Sequence, residues 1–249
     1  MPNERIANVI GLGLIGGSIS LALRRSGFVV WGSDTADGIA SDALARGIID
    51  RVGLSPDAGI SFVSTPVNTV ATSVREALDA TRGVVTDVGS VKAVAAAGTT
   101  DPRYVPGHPM AGSELHGLDG ADASMFEAAV WVLTPTDFSS DDAFNLVAET
   151  VTRFGAEVVA LKPAQHDDLV AMVSHVPHLT AATLMGLADE RSEEHLALLR
   201  LAAGGFRDMT RIASGSPAIW LDICEQNRAA IVDGLDGLIA GLSEMRDIV

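Results

Sequence analysis

The chain has 249 residues, 47% of them hydrophobic and 20% charged, which is a globular composition rather than that of a disordered segment. Its net charge of −15, from 32 acidic and 17 basic residues, argues against nucleic acid or an anionic membrane surface as a partner. The single cysteine, Cys224, forms no intrachain disulfide, and with no signal-peptide or membrane-span pattern we expect a cytoplasmic protein.

Short apolar runs alternate with helical stretches through the first two thirds of the chain. Strands are predicted over 6–10, 28–33, 60–64, 84–87, 104–106, 129–133 and 157–161, and helices over 14–26, 39–46 and 141–154. Near-continuous apolar strands separated by helices indicate a parallel sheet that is covered on both faces. The pattern therefore predicts an α/β domain over residues 1–162, with a Rossmann-like, doubly wound and mostly parallel sheet.

Strand patterns stop near residue 162, and only helical spacing follows, over 164–190, 193–203 and 217–245. Residues 163–249 are therefore predicted to form an all-helical domain. Its helices carry more apolar residues than so small a domain can bury, so we expect a dimerisation domain and a homodimer. Pro177 falls inside the first of these helices, where its missing N–H predicts a kink.

A glycine-rich motif follows the first strand and opens the first helix: Gly11, Gly13 and Gly16, with Leu14 and Ile15 between the last two. In a dinucleotide-binding turn the first glycine permits the tight bend, the second lets a pyrophosphate approach, and the third allows helix and strand to pack closely. The helix N-terminus would offer N–H groups to the phosphates. The alternative is a glycine-rich turn that binds nothing.

Asp34 ends the second predicted strand, where its carboxylate can accept hydrogen bonds from the ribose hydroxyls of an adenosine. The same charge opposes the 2′-phosphate of NADP, and no arginine follows at once, so the sequence favours NAD. The loop of Ser64, Thr65 and Pro66, after the third predicted strand, is also assigned to the cofactor.

Further polar motifs follow in chain order: DVGSVK from Asp87, GHPMAGSE from Gly107, SHVPH from Ser174, GGFRDMTRIA from Gly204, and Trp220. Together with GLGLIGGS these motifs resemble the prephenate/arogenate dehydrogenase family over most of the chain. The resemblance implies a Rossmann domain joined to a helical dimerisation domain, with the active site between them. It also implies NAD-dependent oxidative decarboxylation of prephenate to 4-hydroxyphenylpyruvate, a step of tyrosine biosynthesis.

That reaction needs a proton acceptor beside the ring hydroxyl. His108 follows a predicted strand and is the predicted acceptor, because a neutral imidazole with a reference pKa of about 6.5 can take a hydroxyl proton. The alternative is a histidine that caps the turn before Pro109. Ser90 is predicted to hydrogen-bond the same hydroxyl or the nicotinamide, or else to cap the helix that follows it.

The substrate also brings two carboxylates, which need cations. Arg211 is the predicted clamp for one of them, because a guanidinium matches a carboxylate with two parallel hydrogen bonds. Arg207 is predicted to add positive potential, or else to pair with Asp208 or another surface acid. Glu114 is predicted to gate the pocket or to pair with Arg211, and a solvated loop acid is the alternative.

His175 and His178 are three residues apart, so on a helix they share a face, and both are predicted to line the substrate pocket together with Trp220. Interfacial histidines and a core tryptophan are the alternatives. A metal site built from these two histidines and His166 is rejected, because no carboxylate lies at a ligand spacing and hydride transfer needs no metal.

Three other functions stay open. Arogenate carries an amino group in place of the side-chain ketone, and the motifs do not distinguish it from prephenate, which we favour. A β-hydroxyacid dehydrogenase or imine reductase shares the layout, but those hydroxyacid enzymes use a lysine in the helical part and none follows Lys162. A non-catalytic NAD-sensing module needs the glycine motif and Asp34, but has no use for His108 together with Arg211.

Overall fold

The computed structural model describes residues 5–113, 115–192, 197–215 and 217–249. Contacts within the chain divide it into two compact units, Met1–His166 and Asp167–Val249. The domain boundary near residue 162 stays a prediction.

In the described part of the first unit, eight strands form two sheets. The strands are β1 Arg5–Ile10, β2 Phe28–Ser33, β3 Arg51–Val52, β4 Ile60–Val63, β5 Val84–Asp87, β6 Gly107–Pro109, β7 Val130–Leu133 and β8 Glu157–Ala160. The first five form a parallel sheet in the order β3-β2-β1-β4-β5. In the second sheet β7 lies between β6, which is antiparallel to it, and β8, which is parallel to it.

Helices follow these strands along the chain, and the last helix comes after β8. They are α1 Leu14–Arg25, α2 Ile39–Ala45, α3 Val67–Ala80, α4 Ala93–Ala96, α5 Asp141–Arg153 and α6 Pro163–Val170. In α3, Val70, Val74 and Ala77 are spaced four and three residues apart and are all buried, as expected for one face of an amphipathic helix. Every residue of β4 is buried, which explains why this interior strand has no alternation of polar and apolar residues.

The predicted fold class is confirmed: a mostly parallel sheet with flanking helices precedes a helical C-terminal part. The strand predicted over 104–106 is wrong. Tyr104 forms only an isolated bridge to Val85, and the regular strand begins at Gly107. Tyr104 and Val105 are buried and apolar, so their sequence pattern is that of a strand, but burial alone does not determine backbone pairing. β3 and α3 are additions to the predicted elements.

The second unit is helical throughout its described part. After α6 come a π-helical turn Ala171–His175, α7 Val176–Ser192, α8 Leu198–Leu201, α9 Gly204–Thr210, a 3₁₀ turn Arg211–Ser214, α10 Pro217–Gln226 and α11 Arg228–Ile248. The π turn ends two residues before Pro177, whose missing N–H cannot continue the regular hydrogen-bond ladder, so the helix widens there. The helix predicted over 217–245 is interrupted at Asn227, and residues 193–196 of the one predicted over 193–203 lie outside the described residues.

Large apolar side chains remain exposed on this unit. On α11 these are Val232, Ile239, Leu242, Met245 and Ile248. The helical run Pro163–Arg191 has 29 residues and contains an 18-residue window of mean hydropathy 1.3, so by length and composition alone it could span a membrane. That is weak evidence, because an apolar helix of a soluble protein has the same properties. The run also carries His175 and His178, which are buried within the unit.

Candidate active site

The glycine motif forms a tight turn between β1 and α1. Gly11 has a φ of +89°, and a Cβ at this position would collide with the carbonyl group of Ser64. A Cβ at Gly16 would overlap the carbonyl oxygen of Gly11, so the helix can approach the turn only with glycine there. At Gly13 a Cβ would meet no atom within 4 Å. The turn is therefore closed on the protein side and open at Gly13, which fits the approach of a pyrophosphate.

Two neighbouring segments complete this end of the sheet. Gly13 is the N-cap of α1, and no described side chain caps the N–H groups of the turn that Leu14 and Ile15 begin. Pro66 is the N-cap of α3, which follows Ser64 and Thr65. Because Gly11 packs on the Ser64 carbonyl, the loop from Ser64 to Pro66 lies against the glycine turn.

Asp34 is held beside the same turn. One oxygen of its carboxylate accepts the Leu12 N–H at 2.7 Å, and the other accepts the Ala36 N–H at 2.8 Å. The register of the parallel strands explains the position, since Ile10 of β1 pairs with Ser33 of β2 and both strands end at one edge. An acid in this place fits the ribose hydroxyls of a dinucleotide.

A buried charge cluster lies where β5 ends. Asp87 and Lys92 are both 0% exposed and form an ion pair. Asp87 also accepts hydrogen bonds from the Gly89 N–H at 2.9 Å and from the Tyr104 hydroxyl at 2.7 Å. Burial, together with the neighbouring carboxylate, raises the pKa of Tyr104 well above its ordinary value, so its hydroxyl stays protonated and donates.

The same cluster supports both predicted catalytic segments. Ser90 lies in the turn between Asp87 and Lys92, and α4 begins at Ala93 with Lys92 at its N-cap. Ser90 is therefore not the N-cap of α4. The Lys92 ammonium also donates to the carbonyl of Gly107 at 2.7 Å, directly before His108. One buried lysine thus connects the Ser90 turn to the strand that carries His108.

His108 contacts a second histidine. Its Nδ1 lies 2.9 Å from Nε2 of His166, and the two rings meet edge to face with their centroids 5.1 Å apart. His108 is half-buried in β6, opposite Val132 of β7, whereas His166 on α6 is 0% exposed. Sequence patterns assign no role to His166 apart from the rejected metal site, because 58 residues separate the pair and no local pattern connects them.

In the helical unit, Trp220 brings the two predicted histidines together. His178 stacks on its ring with centroids 3.5 Å apart and 9° between the planes, and His175 meets it edge-on at 5.9 Å. Burial lowers the pKa of His178, and a hydrogen bond with the Ile212 backbone opposes this shift, so the ring favours its neutral form. The histidines therefore pack on the tryptophan within their own unit.

Asn227 orients His175. Its side-chain amide donates to the backbone carbonyl of Asp167 at 2.8 Å and to Nδ1 of His175 at 3.2 Å. A ring nitrogen that accepts carries no proton, so neutral His175 holds its proton on Nε2. Sequence patterns did not identify Asn227, because the helical spacing over 217–245 shows no sign of the break between α10 and α11.

Both candidate arginines are exposed. Arg207 lies on α9 and Arg211 opens the 3₁₀ turn that follows. Within the described part of the helical unit neither forms an ion pair, so the predicted pair of Arg207 with Asp208 is not present. Glu114 lies outside the described residues.

Among the residues that the structure describes, no group of three or more histidine, cysteine or acidic side chains could hold a metal ion.

Family models match nearly the whole chain. Residues 19–160 match the nucleotide-binding domain of prephenate dehydrogenase, and residues 162–249 match its dimerization domain. The chain is 37% identical over 256 residues to a prephenate dehydrogenase of Bacillus subtilis, with 96% of this chain and 68% of that protein covered.

Solved structures agree with this relation. A prephenate dehydrogenase from A. aeolicus, in complex with hydroxyphenyl propionate and NAD⁺, has a TM-score of 0.90 and 29% identity, covering 99% of this chain and 91% of that one. A Synechocystis arogenate dehydrogenase has a TM-score of 0.81 and 28% identity, covering 98% and 91%. The likeness therefore extends over both units.

Replacing Lys92 with Met will strongly destabilise the first unit. The change leaves the Asp87 carboxylate buried without its cation, which costs about 3–5 kcal/mol. We expect a lower urea midpoint in unfolding followed by circular dichroism. The control is Lys162→Met, which alters the other lysine of the chain. Lys162 is exposed, so this change should leave the midpoint nearly unchanged.

The double variant Asp87→Asn/Lys92→Met should lose less stability than the sum of the losses in Asp87→Asn and in Lys92→Met, because it leaves no unpaired charge. A midpoint for Lys92→Met equal to that of the parent would contradict the assigned role of this ion pair.

Proposed function

The chain belongs to the prephenate dehydrogenase family, and from that membership we infer that it oxidatively decarboxylates prephenate to 4-hydroxyphenylpyruvate with NAD⁺. The observation that carries this function is His108, a histidine in the family's HPMAGSE motif whose Nδ1 contacts a second, buried histidine. NAD is the cofactor, as the nucleotide-binding domain and the NAD⁺ complex of the A. aeolicus relative support.

The reaction removes a hydride from the ring carbon that bears the hydroxyl, and then carbon dioxide from the opposite carbon. When bound, NAD⁺ supplies the hydride acceptor. As hydride leaves, the hydroxyl develops carbonyl character and gives up its proton. The electrons of the broken carbon–carboxylate bond then enter the ring, the oxygen regains a proton, and the phenol forms. Aromatisation makes the step effectively irreversible.

His108 is the assigned acceptor of the hydroxyl proton. A neutral imidazole suits this task, because it can both take and return a proton. Ser90 is assigned a hydrogen bond to the same hydroxyl or to the nicotinamide. Its position supports this role, because it lies in a turn that Lys92 connects to the backbone beside His108.

Substrate carboxylates are assigned to the helical unit. Arg211 is exposed, forms no ion pair within the described part of its unit, and can hold a carboxylate with two parallel hydrogen bonds. Arg207, four residues earlier, adds positive potential in a protein of net charge −15. Glu114 keeps its assignment as a gating acid or as a partner of Arg211.

His175, His178 and Trp220 are assigned to the substrate as well. With its Nδ1 occupied by Asn227, neutral His175 carries its proton on Nε2. Burial lowers the pKa of His178, so this histidine acts as a neutral hydrogen-bonding group rather than as a cation. The Trp220 ring holds both imidazoles in orientation.

The helical unit is proposed to form a homodimer. Support comes from its match to a dimerization domain and from the apolar side chains exposed on α11. The bacterial relatives and the absence of a disulfide support a soluble protein of the cytoplasm.

Purified protein should reduce NAD⁺ with prephenate, and His108→Asn should lower kcat by about 10²–10⁴-fold with little change in KM, because the lost interaction belongs to the transition state. NADH absorbance gives the rate. His116→Asn, which alters an exposed histidine, is the matched control and should match the parent.

Arogenate is the second substrate to assay, since the Synechocystis relative acts on it. Turnover of arogenate but not of prephenate would make arogenate the substrate and would leave the roles assigned to the residues unchanged. No turnover of either substrate would contradict the proposed function.

Asp34→Ser should reduce the preference for NAD⁺ over NADP⁺ by roughly tenfold or more in kcat/KM, because the carboxylate that favours the ribose hydroxyls and opposes a 2′-phosphate is gone. Steady-state kinetics with each cofactor measures this ratio. The exposed Asp37, changed to Ser, is the control. An unchanged ratio in Asp34→Ser would mean that Asp34 does not face the ribose.

Arg211→Lys should raise KM for prephenate by about 10- to 100-fold, since a point charge cannot reproduce a two-bond contact whose loss costs roughly 1.5–3 kcal/mol. KM for NAD⁺ should stay constant. Arg246→Lys, on the exposed end of α11, serves as the control. Equal KM values for prephenate in the parent and in Arg211→Lys would rule out the clamp.

A further inference from the structure

The contact between His108 and His166 allows only one arrangement of protons in a working enzyme. Nδ1 of His108 and Nε2 of His166 are 2.9 Å apart, and both residues belong to the first compact unit. Two ring nitrogens at this distance share one proton, so one nitrogen donates and the other accepts. The direction of this bond decides which nitrogen of neutral His108 is protonated.

The proposed chemistry selects one direction. To take the hydroxyl proton at Nε2, neutral His108 must carry its own proton on Nδ1 and donate it to His166. His166 must then accept at Nε2 and keep its proton on Nδ1. We propose that His166 is a positioning residue that holds His108 in the tautomer able to act as the base. This inference rests on the proposed function, because it takes His108 as the proton acceptor.

The surroundings of His166 favour this role. His166 is 0% exposed. Its backbone N–H donates to the carbonyl of Lys162, directly before α6, at 2.9 Å, so the backbone that carries the ring is held in place. On the other side, Lys92 holds the Gly107 carbonyl, which directly precedes His108. The backbone beside each partner of the contact is thus anchored by a hydrogen bond.

The contact also acts during the proton transfer. Once His108 has accepted the proton, it is an imidazolium whose Nδ1–H still points at His166. A hydrogen bond from a charged donor is stronger than one from a neutral donor, so His166 stabilises the state that forms as hydride leaves. The interaction is stronger in the transition state than in the ground state, and its loss should lower kcat rather than raise KM.

Two substitutions of similar length separate accepting from packing. Gln places its amide oxygen near the position of Nε2 and can accept from His108, whereas Met has no comparable acceptor. We expect His166→Met to lower kcat with prephenate by about 10- to 100-fold, as when a group that orients a reacting imidazole is removed. His166→Gln should recover most of this loss, and KM values for prephenate and NAD⁺ should change little in either variant.

Combination with His108→Asn tests whether His166 acts through His108. In that background the base is already absent, so adding His166→Met should cause no further loss of kcat. A purely structural role would lower kcat again by the same factor. A fully active His166→Met single variant, a Gln variant as slow as the Met variant, or additive losses would each overturn the inference.

Spectroscopy on the unchanged protein tests the tautomer without relying on the folding of any variant. With ¹⁵N-labelled histidine at about pH 8, where an ordinary imidazole is neutral, the His108 resonances should show a proton on Nδ1 and none on Nε2. Comparison with His108→Asn identifies these resonances. A proton on Nε2 would overturn the inference even if prephenate is turned over, whereas absent turnover with the expected tautomer would contradict the proposed function instead.

Discussion

The ion pair between Lys92 and Asp87 is the interaction on which the chemical end of the first unit depends. Both side chains are inaccessible to water, so each charge needs the other, and the carboxylate is further satisfied by Tyr104 and Gly89. Because the ammonium also donates to the Gly107 carbonyl, one side chain connects the turn after β5 to the strand β6. An apolar pair of similar volume could fill this space, but it could not connect these backbone groups.

The cofactor end depends on a different constraint, the parallel order of the first sheet. β1 has β2 on one side and β4 on the other, so the three strands end at one edge. The glycine turn, Asp34 and the loop from Ser64 to Pro66 therefore meet there although they are distant in sequence. Gly11 and Gly16 are needed because the backbone approaches itself more closely than any Cβ allows.

Histidines in both units are oriented by neighbouring groups. Asn227 occupies Nδ1 of His175, Trp220 stacks on His178, and His166 contacts Nδ1 of His108. An imidazole has two nitrogens and two neutral tautomers, so its chemistry is defined only when a neighbour occupies one nitrogen. The neighbours of these imidazoles thus decide which ring nitrogen can donate and which can accept.

Sequence alone determined the fold class, the glycine turn, the acid at the end of β2 and the family, because periodicity and short motifs are local. It misplaced the strand near Tyr104, since burial there does not determine backbone pairing, and it did not find the contact of His166 with His108. Such contacts join residues far apart in the chain and leave no periodic trace. Only the tertiary structure decided them, because the packing of α6 and β6 brings two imidazoles to hydrogen-bonding distance.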